Sequence, residues 1–139
     1  MKILLLLFFT AILWGSTPII EKIGLAKTEP ITGITIRSVA VCIALLLYLA
    51  FSGKLKTAFT ADAKTIIIFS ISGILAGLVG MITYFKALKA GATSEVVPIA
   101  AIYPLVTAIL SVLILGEQIT PLRIMGTILI VAGVWLVQI

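Results

Sequence analysis

The stretch VVPIAAIYPLVTAILSVLIL, residues 96–115, decides the fold, because none of its side chains is charged. A helix that crosses the hydrocarbon core of a bilayer needs about 20 apolar residues. Four more stretches have the same character, at residues 3–20, 31–51, 66–85 and 120–139. We therefore predict an all-α membrane protein in which five transmembrane helices occupy a single domain, residues 1–139.

The composition of the chain supports this fold class. Hydrophobic residues make up 62% of the 139 residues and charged residues 11%, whereas a soluble domain has about 25% charged residues. This balance excludes a soluble enzyme, a nucleic-acid-binding domain and a disordered chain. The net charge of +5 comes from single basic residues between apolar runs, which is typical of loops that face anionic lipid headgroups. We predict a multi-pass protein of the cell membrane whose first partner is the lipid bilayer.

The residue types needed for catalysis or metal binding are sparse. The chain has no His and a single Cys, Cys42, which excludes a Cys/His zinc site and a disulfide within one chain. The sequence contains no nucleophile–base pair and no phosphate-binding loop. We therefore predict that the protein is not an enzyme and uses no cofactor.

The N-terminal run resembles the start of a signal peptide, with Lys2 followed by Leu and Phe residues. The apolar stretch continues through Ile19 and Ile20, however, and no small-residue cleavage pattern follows it. We predict a retained first helix, followed by a connection that begins at Glu21.

The distribution of basic residues leaves the orientation of the chain open. With five helices, one side of the membrane receives Lys2, Lys54, Lys56, Lys64 and Arg123, and the other receives Lys22, Lys27, Lys86 and Lys89. So small a difference orients a protein only weakly, and it is compatible with one fixed orientation or with insertion both ways up. An odd number of helices also suits one half of an inverted-repeat transporter. Such a half needs an inverted partner, either a second copy or a paralogue.

The first helix carries a stripe of polar and aromatic residues. Thr10, Trp14, Thr17 and Glu21 are spaced 4, 3 and 4 residues apart, so they share one helix face. Pro18 cannot donate a hydrogen bond to the carbonyl of Trp14 and weakens the helix there. The stripe lines a substrate path, or it marks a kinked helix with an interfacial Trp.

Arg37 lies six residues into the second helix. A charge at this depth, about 9 Å along the helix, faces water, pairs with another group or snorkels to the headgroups. In the first case it would attract an anionic or carboxylate-bearing substrate. No carboxylate is expected deep in any helix, and this disfavours an exporter that exchanges protons for cationic drugs.

The third and fourth helices supply the remaining candidate residues. Tyr84 ends a glycine-rich stripe suited to close helix packing, and it reaches the cavity or the membrane interface. Pro104 removes a donor for the carbonyl of Ala100, which then needs another partner. Tyr103 and Thr107 share a face of small and polar residues, which suits either the wall of a solute cavity or helix packing.

Together these motifs resemble a single EamA domain of the drug/metabolite transporter superfamily. The resemblance covers the whole chain, and its features follow in order: Trp14-Gly15-Ser16, Lys22, Arg37, Tyr84-Phe85-Lys86-Ala87-Leu88, Ala90, Ala92, Pro98, Pro104, Gly116-Glu117-Gln118-Ile119-Thr120, Gly126 and Gly133. It implies ten helices in inverted halves for most members and dimers for the small five-helix members. It also implies that Trp14, Thr17, Tyr84 and Tyr103 line a central cavity.

The sequence thus predicts a secondary transporter for a small metabolite or amphipathic compound, working as an antiparallel dimer by alternating access. The predicted substrate-binding residues are Trp14, Thr17, Arg37, Tyr84, Tyr103 and Thr107. The alternatives are a small multidrug-type exporter and a non-transporting subunit of a larger membrane complex, such as a lipid-carrier flippase.

Overall fold

The structure, a computed structural model, describes residues 2–137 and contains helices and no strands within that range. Its α-helices are α1 (Lys2–Leu25), α2 (Pro30–Phe51), α3 (Leu55–Ala58), α4 (Ala63–Ser72), α5 (Met81–Ala90), α6 (Thr93–Ala100), α7 (Tyr103–Leu115) and α8 (Pro121–Leu136), and a π-helical segment (Gly73–Gly80) joins α4 to α5. The predicted all-α membrane fold is confirmed. Four helical stretches among the described residues are long and apolar enough to cross a membrane.

The first of these stretches, α1, is longer than predicted. It continues past residue 20 and ends at Leu25, so Glu21 lies inside the helix and not in a connection. The last turn is stabilised because the Leu25 side chain is buried against α2, next to Gly33. After a short connection α2 begins at Pro30, a position where the missing N–H costs no hydrogen bond.

The third stretch extends from Ala63 to Ala90, beyond both ends of the predicted 66–85. Asp62 caps its start, because its carboxylate accepts hydrogen bonds from the backbone N–H of Thr65 at 3.1 Å and from its hydroxyl at 2.6 Å. These two bonds lower the pKa of Asp62. The connection before it contains the short helix α3.

The middle of the third stretch is the π-helical segment, whose turns are wider than α-turns. Gly80 shows why the local sequence permits it. A Cβ atom at this position would lie 3.1 Å from the carbonyl oxygen of Leu75, five residues earlier. The absence of a side chain therefore lets the backbone approach itself closely.

The fourth stretch is not the single helix that was predicted over residues 96–115. It begins at Thr93, stops at Ala100 and resumes at Tyr103. The break follows from Pro104, which has no N–H to donate to the carbonyl of Ala100. Gly116, with a φ of +66°, ends the second part in the left-handed conformation that glycine adopts readily.

The fifth predicted helix, 120–139, is shorter in the structure. Thr120 caps α8, and the helix covers 16 residues, Pro121–Leu136. Its start is fixed by Pro121, and its length of about 24 Å is below the hydrocarbon thickness of about 30 Å. Gln138 and Ile139, with which the prediction ended, lie outside the described residues, as does Met1.

The chain divides into two compact units, one up to Lys89 and one from Ala90 onward. In the first unit the buried apolar side chains Leu25, Ile34, Phe85 and Leu88 gather where the end of α1, the start of α2 and the end of α5 meet. In the second unit Val134 of α8 is buried. Most other large apolar side chains are exposed, as expected of surfaces that face lipid or another helix bundle.

Candidate functional site

A charged pair lies beside the core of the first unit. The Glu21 carboxylate of α1 faces the Arg37 guanidinium of α2, and the distance from Oε1 to Nε is 3.5 Å. The Glu21 side chain is only 11% exposed, whereas that of Arg37 is 45% exposed. Oε1 of Glu21 is buried and has no hydrogen-bond donor among residues 2–137. The two groups attract each other, but their separation exceeds that of a good hydrogen bond.

Tyr84 brings a third helix to the same carboxylate. Its side chain is half-buried on α5, beside the buried ring of Phe85, and its hydroxyl interacts electrostatically with Glu21. Two of the predicted site residues, Arg37 and Tyr84, are therefore brought to one acidic group. We call Glu21, Arg37 and Tyr84 the charged cluster.

Lysines fix the helices around the charged cluster. Nζ of Lys22 donates to the carbonyl oxygens of Leu88 at 2.6 Å and of Lys89 at 3.2 Å. These carbonyls belong to the last turn of α5, which carries partial negative charge and attracts cations. The contact ties α1 to α5 one residue after Glu21, and so it holds the carboxylate in place.

A second lysine ties α5 to the connection between α1 and α2. Nζ of Lys89 donates to the carbonyl of Thr28 at 3.1 Å and to Oε1 of Glu29 at 3.0 Å. Glu29 is exposed, so this ion pair is screened by solvent and contributes little stability. It joins the last turn of α5 to the connection that precedes α2.

Trp14 and Thr17 precede the charged cluster on the same face of α1. Trp14 is 68% exposed. The Thr17 hydroxyl donates to the carbonyl of Leu13 at 2.8 Å, within its own helix. The predicted residues therefore share one face of α1, but the Thr17 hydroxyl is already hydrogen-bonded to the backbone of its own helix.

Tyr103 and Thr107 belong to the second unit. Tyr103 is the first residue of α7 and is exposed, and the Thr107 hydroxyl donates to its carbonyl at 3.1 Å. The break before Tyr103 leaves α7 to begin inside the fourth stretch, as in the interrupted helices found at the binding sites of many transporters.

An apolar groove of about 350 Å³ lies between α7 and α8 of the second unit. Leu105, Ile109 and Leu113 line it from α7, and Ile124 and Ile128 line it from α8. None of the six predicted site residues lines this groove. The groove is not among the predicted sites, although the four-residue spacing of these side chains places each set on one helix face.

Glu21 is also not among the predicted binding residues. The signal was present, because Glu21 continues the spacing of Thr10, Trp14 and Thr17. A first helix that ends at residue 20 puts Glu21 at the start of a connection, and the stripe then has two interpretations, a substrate path or a kinked helix with a Glu at its end. Among residues 2–137, moreover, no three His, Cys, Asp or Glu side chains lie close enough to hold a metal ion.

Comparison with known proteins places these features in context. The profile of the EamA-like transporter family matches residues 1–139. An uncharacterized protein of Methanocaldococcus jannaschii is 30% identical over 129 residues, which cover 93% of this chain and 90% of the relative. A Sinorhizobium protein described as an uncharacterized transporter in the cobO 3' region is 27% identical over 123 residues, which cover 88% and 86%.

A third relative differs in size. An uncharacterized transporter of Archaeoglobus fulgidus is 28% identical over 76 residues, which cover 55% of this chain. The same residues are 27% of the relative, which is therefore about twice as long as this chain. No solved structure matches the chain.

Proposed function

This chain belongs to the EamA-like transporter family and is a membrane transporter, and from this premise we propose that it is a secondary transporter or permease for a small metabolite or amphipathic compound. The observation that carries the proposal is the charged cluster. Ionisable groups among apolar helices are costly, and in membrane proteins they commonly mark a substrate or ion path. Here helices α1, α2 and α5 each contribute one polar group to it.

In this proposal each predicted residue has a role. Arg37 attracts a negatively charged group, Tyr84 supplies a hydroxyl beside it, and Trp14 and Thr17 line the approach along α1. Tyr103 and Thr107 of the second unit offer polar groups to a substrate at the start of α7. Exposure supports these roles, since Trp14, Arg37 and Tyr103 all present accessible surface.

The working unit in this proposal is an antiparallel dimer that alternates access about a midplane site, as in transporters built from inverted repeats. The sizes of the relatives support it, because two are close to this chain in length and one is about twice as long. Exposed apolar side chains on every long helix leave surface for a second bundle. The partner is a second copy or a paralogue of opposite orientation.

The dimer is tested by topology. A reporter active only in the cytoplasm and one active only outside it are fused separately to the C-terminus. Signal from both supports insertion in two orientations and an antiparallel homodimer. Signal from one alone contradicts the homodimer and directs the search to a paralogous partner.

The transport function is tested by metabolite profiling. Cells that overproduce the wild-type protein are compared with cells that overproduce Arg37→Ala, by mass spectrometry of the medium and of the cell extract. We expect at least one metabolite to be redistributed by the wild type and not by the variant. Arg123→Ala is the matched control, because Arg123 is the other arginine of the chain and is exposed at the start of α8. Identical profiles for wild type and Arg37→Ala would contradict the proposed role of Arg37.

One observation favours a second function. Glu21 lies on a membrane-spanning helix with little exposure, and this is the kind of residue that a multidrug-type exporter uses to exchange protons for cations. Such an exporter would confer resistance to ethidium, and resistance would be lost in Glu21→Gln. Unchanged ethidium sensitivity of cells that overproduce the protein would exclude this alternative.

A further inference from the structure

The guanidinium of Arg37 has hydrogen-bond donors to spare. Its Nε lies 3.5 Å from Oε1 of Glu21, and that oxygen accepts no hydrogen bond from any donor among residues 2–137, so the guanidinium is not hydrogen-bonded to it. A guanidinium offers five N–H donors and binds a carboxylate best through two parallel bonds. Since the Arg37 side chain is 45% exposed, a second carboxylate can reach it.

The negative charge of Glu21 is balanced by Arg37. Its carboxylate is faced by Arg37 from α2 at 3.5 Å, and it lies within electrostatic range of the Tyr84 hydroxyl on α5. The neighbouring cation on α1, Lys22, donates to the carbonyls of Leu88 and Lys89 at the end of α5. A buried carboxylate that loses its countercharge is unfavourable, and it is neutralised by taking up a proton.

We propose that the carboxylate of a substrate replaces Glu21 on the Arg37 guanidinium and that Glu21 is protonated in the same step, so that an organic anion and a proton bind together. This inference rests on the proposed transport function and adds to it a substrate class and a coupling ion. Before binding, the pair has one negative and one positive charge. Afterwards the substrate carboxylate carries the negative charge, Arg37 keeps its proton and Glu21 is neutral.

The proton balance of this step is simple. A proton from water forms an O–H bond on Glu21, and no other bond is made or broken. The net charge of the occupied site equals that of the empty site, so the low-dielectric surroundings oppose neither state through excess charge. Substrate binding alone would leave two negative charges on one guanidinium.

The test uses the purified full-length protein in detergent and the arginine reagent phenylglyoxal. The chain has two arginines, Arg37 and Arg123, and peptide mass spectrometry reports the modification of each. Acetate is the probe anion, acetamide is the uncharged control, and chloride keeps the ionic strength constant. The ratio of Arg37 to Arg123 modification cancels the effect of pH on the reagent.

For the wild type we expect acetate to lower this ratio several-fold at mildly acidic pH and less at mildly alkaline pH, and acetamide to leave it unchanged. In Glu21→Gln, Arg37 should be modified several-fold faster without acetate, and acetate protection should no longer depend on pH. The matched control is Glu29→Gln, which removes the exposed partner of Lys89 and should behave as the wild type. Acetate protection that is equal at both pH values in the wild type, or equal for both arginines, would overturn the proposal.

A second measurement does not depend on any variant. Acetate is added to the wild-type protein in weakly buffered detergent solution that contains a pH indicator. We expect one proton to be taken up for each acetate bound, and acetate binding without proton uptake would refute the coupling. Both measurements are made without transport, so a failed metabolite-profiling experiment with intact acetate protection would contradict the transport function alone.

Discussion

The two units of the chain hold their helices together in different ways. In the first unit, the end formed by α1, α2 and α5 combines a small apolar core with the charged cluster and with lysines bonded to backbone carbonyls. In the second unit, α7 and α8 enclose a groove lined almost entirely by aliphatic side chains.

The difference shows which side chains in a membrane protein need defined positions. Lipid tails are as apolar as leucine, so an aliphatic groove costs little whether it is filled by lipid or by another helix. A carboxylate and a guanidinium among apolar helices are costly unless they pair, and they therefore have defined positions. Substitutions should accordingly have larger effects in the first unit than along the groove.

The largest effect is expected from Phe85→Ala, which should lower the free energy of unfolding by about 3 kcal/mol through the cavity it creates. Phe85 is 2% exposed and contacts Gly33 of α2. The measurement is denaturant unfolding of the purified protein in detergent. Ile109→Ala in the groove is the control and should cost about 1 kcal/mol, because its side chain is half exposed. Equal losses for the two variants would remove the distinction between the units.

The next effect is expected from Arg37→Met, which leaves the Glu21 carboxylate without its countercharge. We expect a loss of about 2 kcal/mol, less than for a fully buried pair because Arg37 is half exposed. Adding Glu21→Gln to this variant should recover most of the loss. A thermal unfolding series of the single and double variants measures both effects. A double variant no more stable than Arg37→Met would show that the pair does not control stability.

A smaller effect on stability, and a clear one on transport, is expected from Tyr103→Ala. The side chain is exposed at the start of α7, so its removal should change stability by less than about 0.5 kcal/mol. Transport of the metabolite identified by profiling should fall several-fold, with membrane insertion unchanged. Val106→Ala, also exposed on α7, is the control. Normal transport by a well-inserted Tyr103→Ala variant would remove this residue from the site.

The smallest effect is expected at Asp62, which caps the start of α4 and is exposed. Its pKa is lowered from the ordinary value of 3.8 by the hydrogen bonds from Thr65. A lowered pKa in the folded state means that the stabilisation is present above the ordinary value and is lost as pH falls through the lowered one. Asp62→Asn should therefore show a weaker loss of stability on acidification than the wild type. A pH series of thermal unfolding curves tests this, and parallel curves for both proteins would contradict it.

Much of the fold could be predicted from the sequence because the bilayer imposes a simple requirement on length and composition. The length and apolar character of the fourth stretch and its end at Gly116 follow from local sequence. The interruption before Tyr103 also has a local cause in Pro104, although a single helix is predicted there. The end of α1 could not be predicted in this way. It depends on Leu25 packing against a helix that follows it in the chain, and hydropathy does not report such a contact.

Of the charged cluster, Arg37 and Tyr84 are among the residues that the sequence predicts for a binding site, and Glu21 is not. Arg37 and Tyr84 were identified by residue type and depth. Glu21 was assigned to a connection, and the bond from Lys22 to Leu88 joins residues 66 positions apart in the sequence. Pairings over such separations are set by helix packing, so the pattern of a single helix does not contain them.

The π-helical segment Gly73–Gly80 sets the direction in which Tyr84 of the charged cluster leaves its helix. A π-turn takes about one residue more than an α-turn, so the segment sets the angle at which every later side chain leaves the helix axis. Tyr84, Phe85 and Leu88 all follow it. If these eight residues changed to α-helical geometry, α5 would rotate about its own axis. Tyr84 would then swing away from Glu21, and the phenyl ring that packs on Gly33 would leave its place with it.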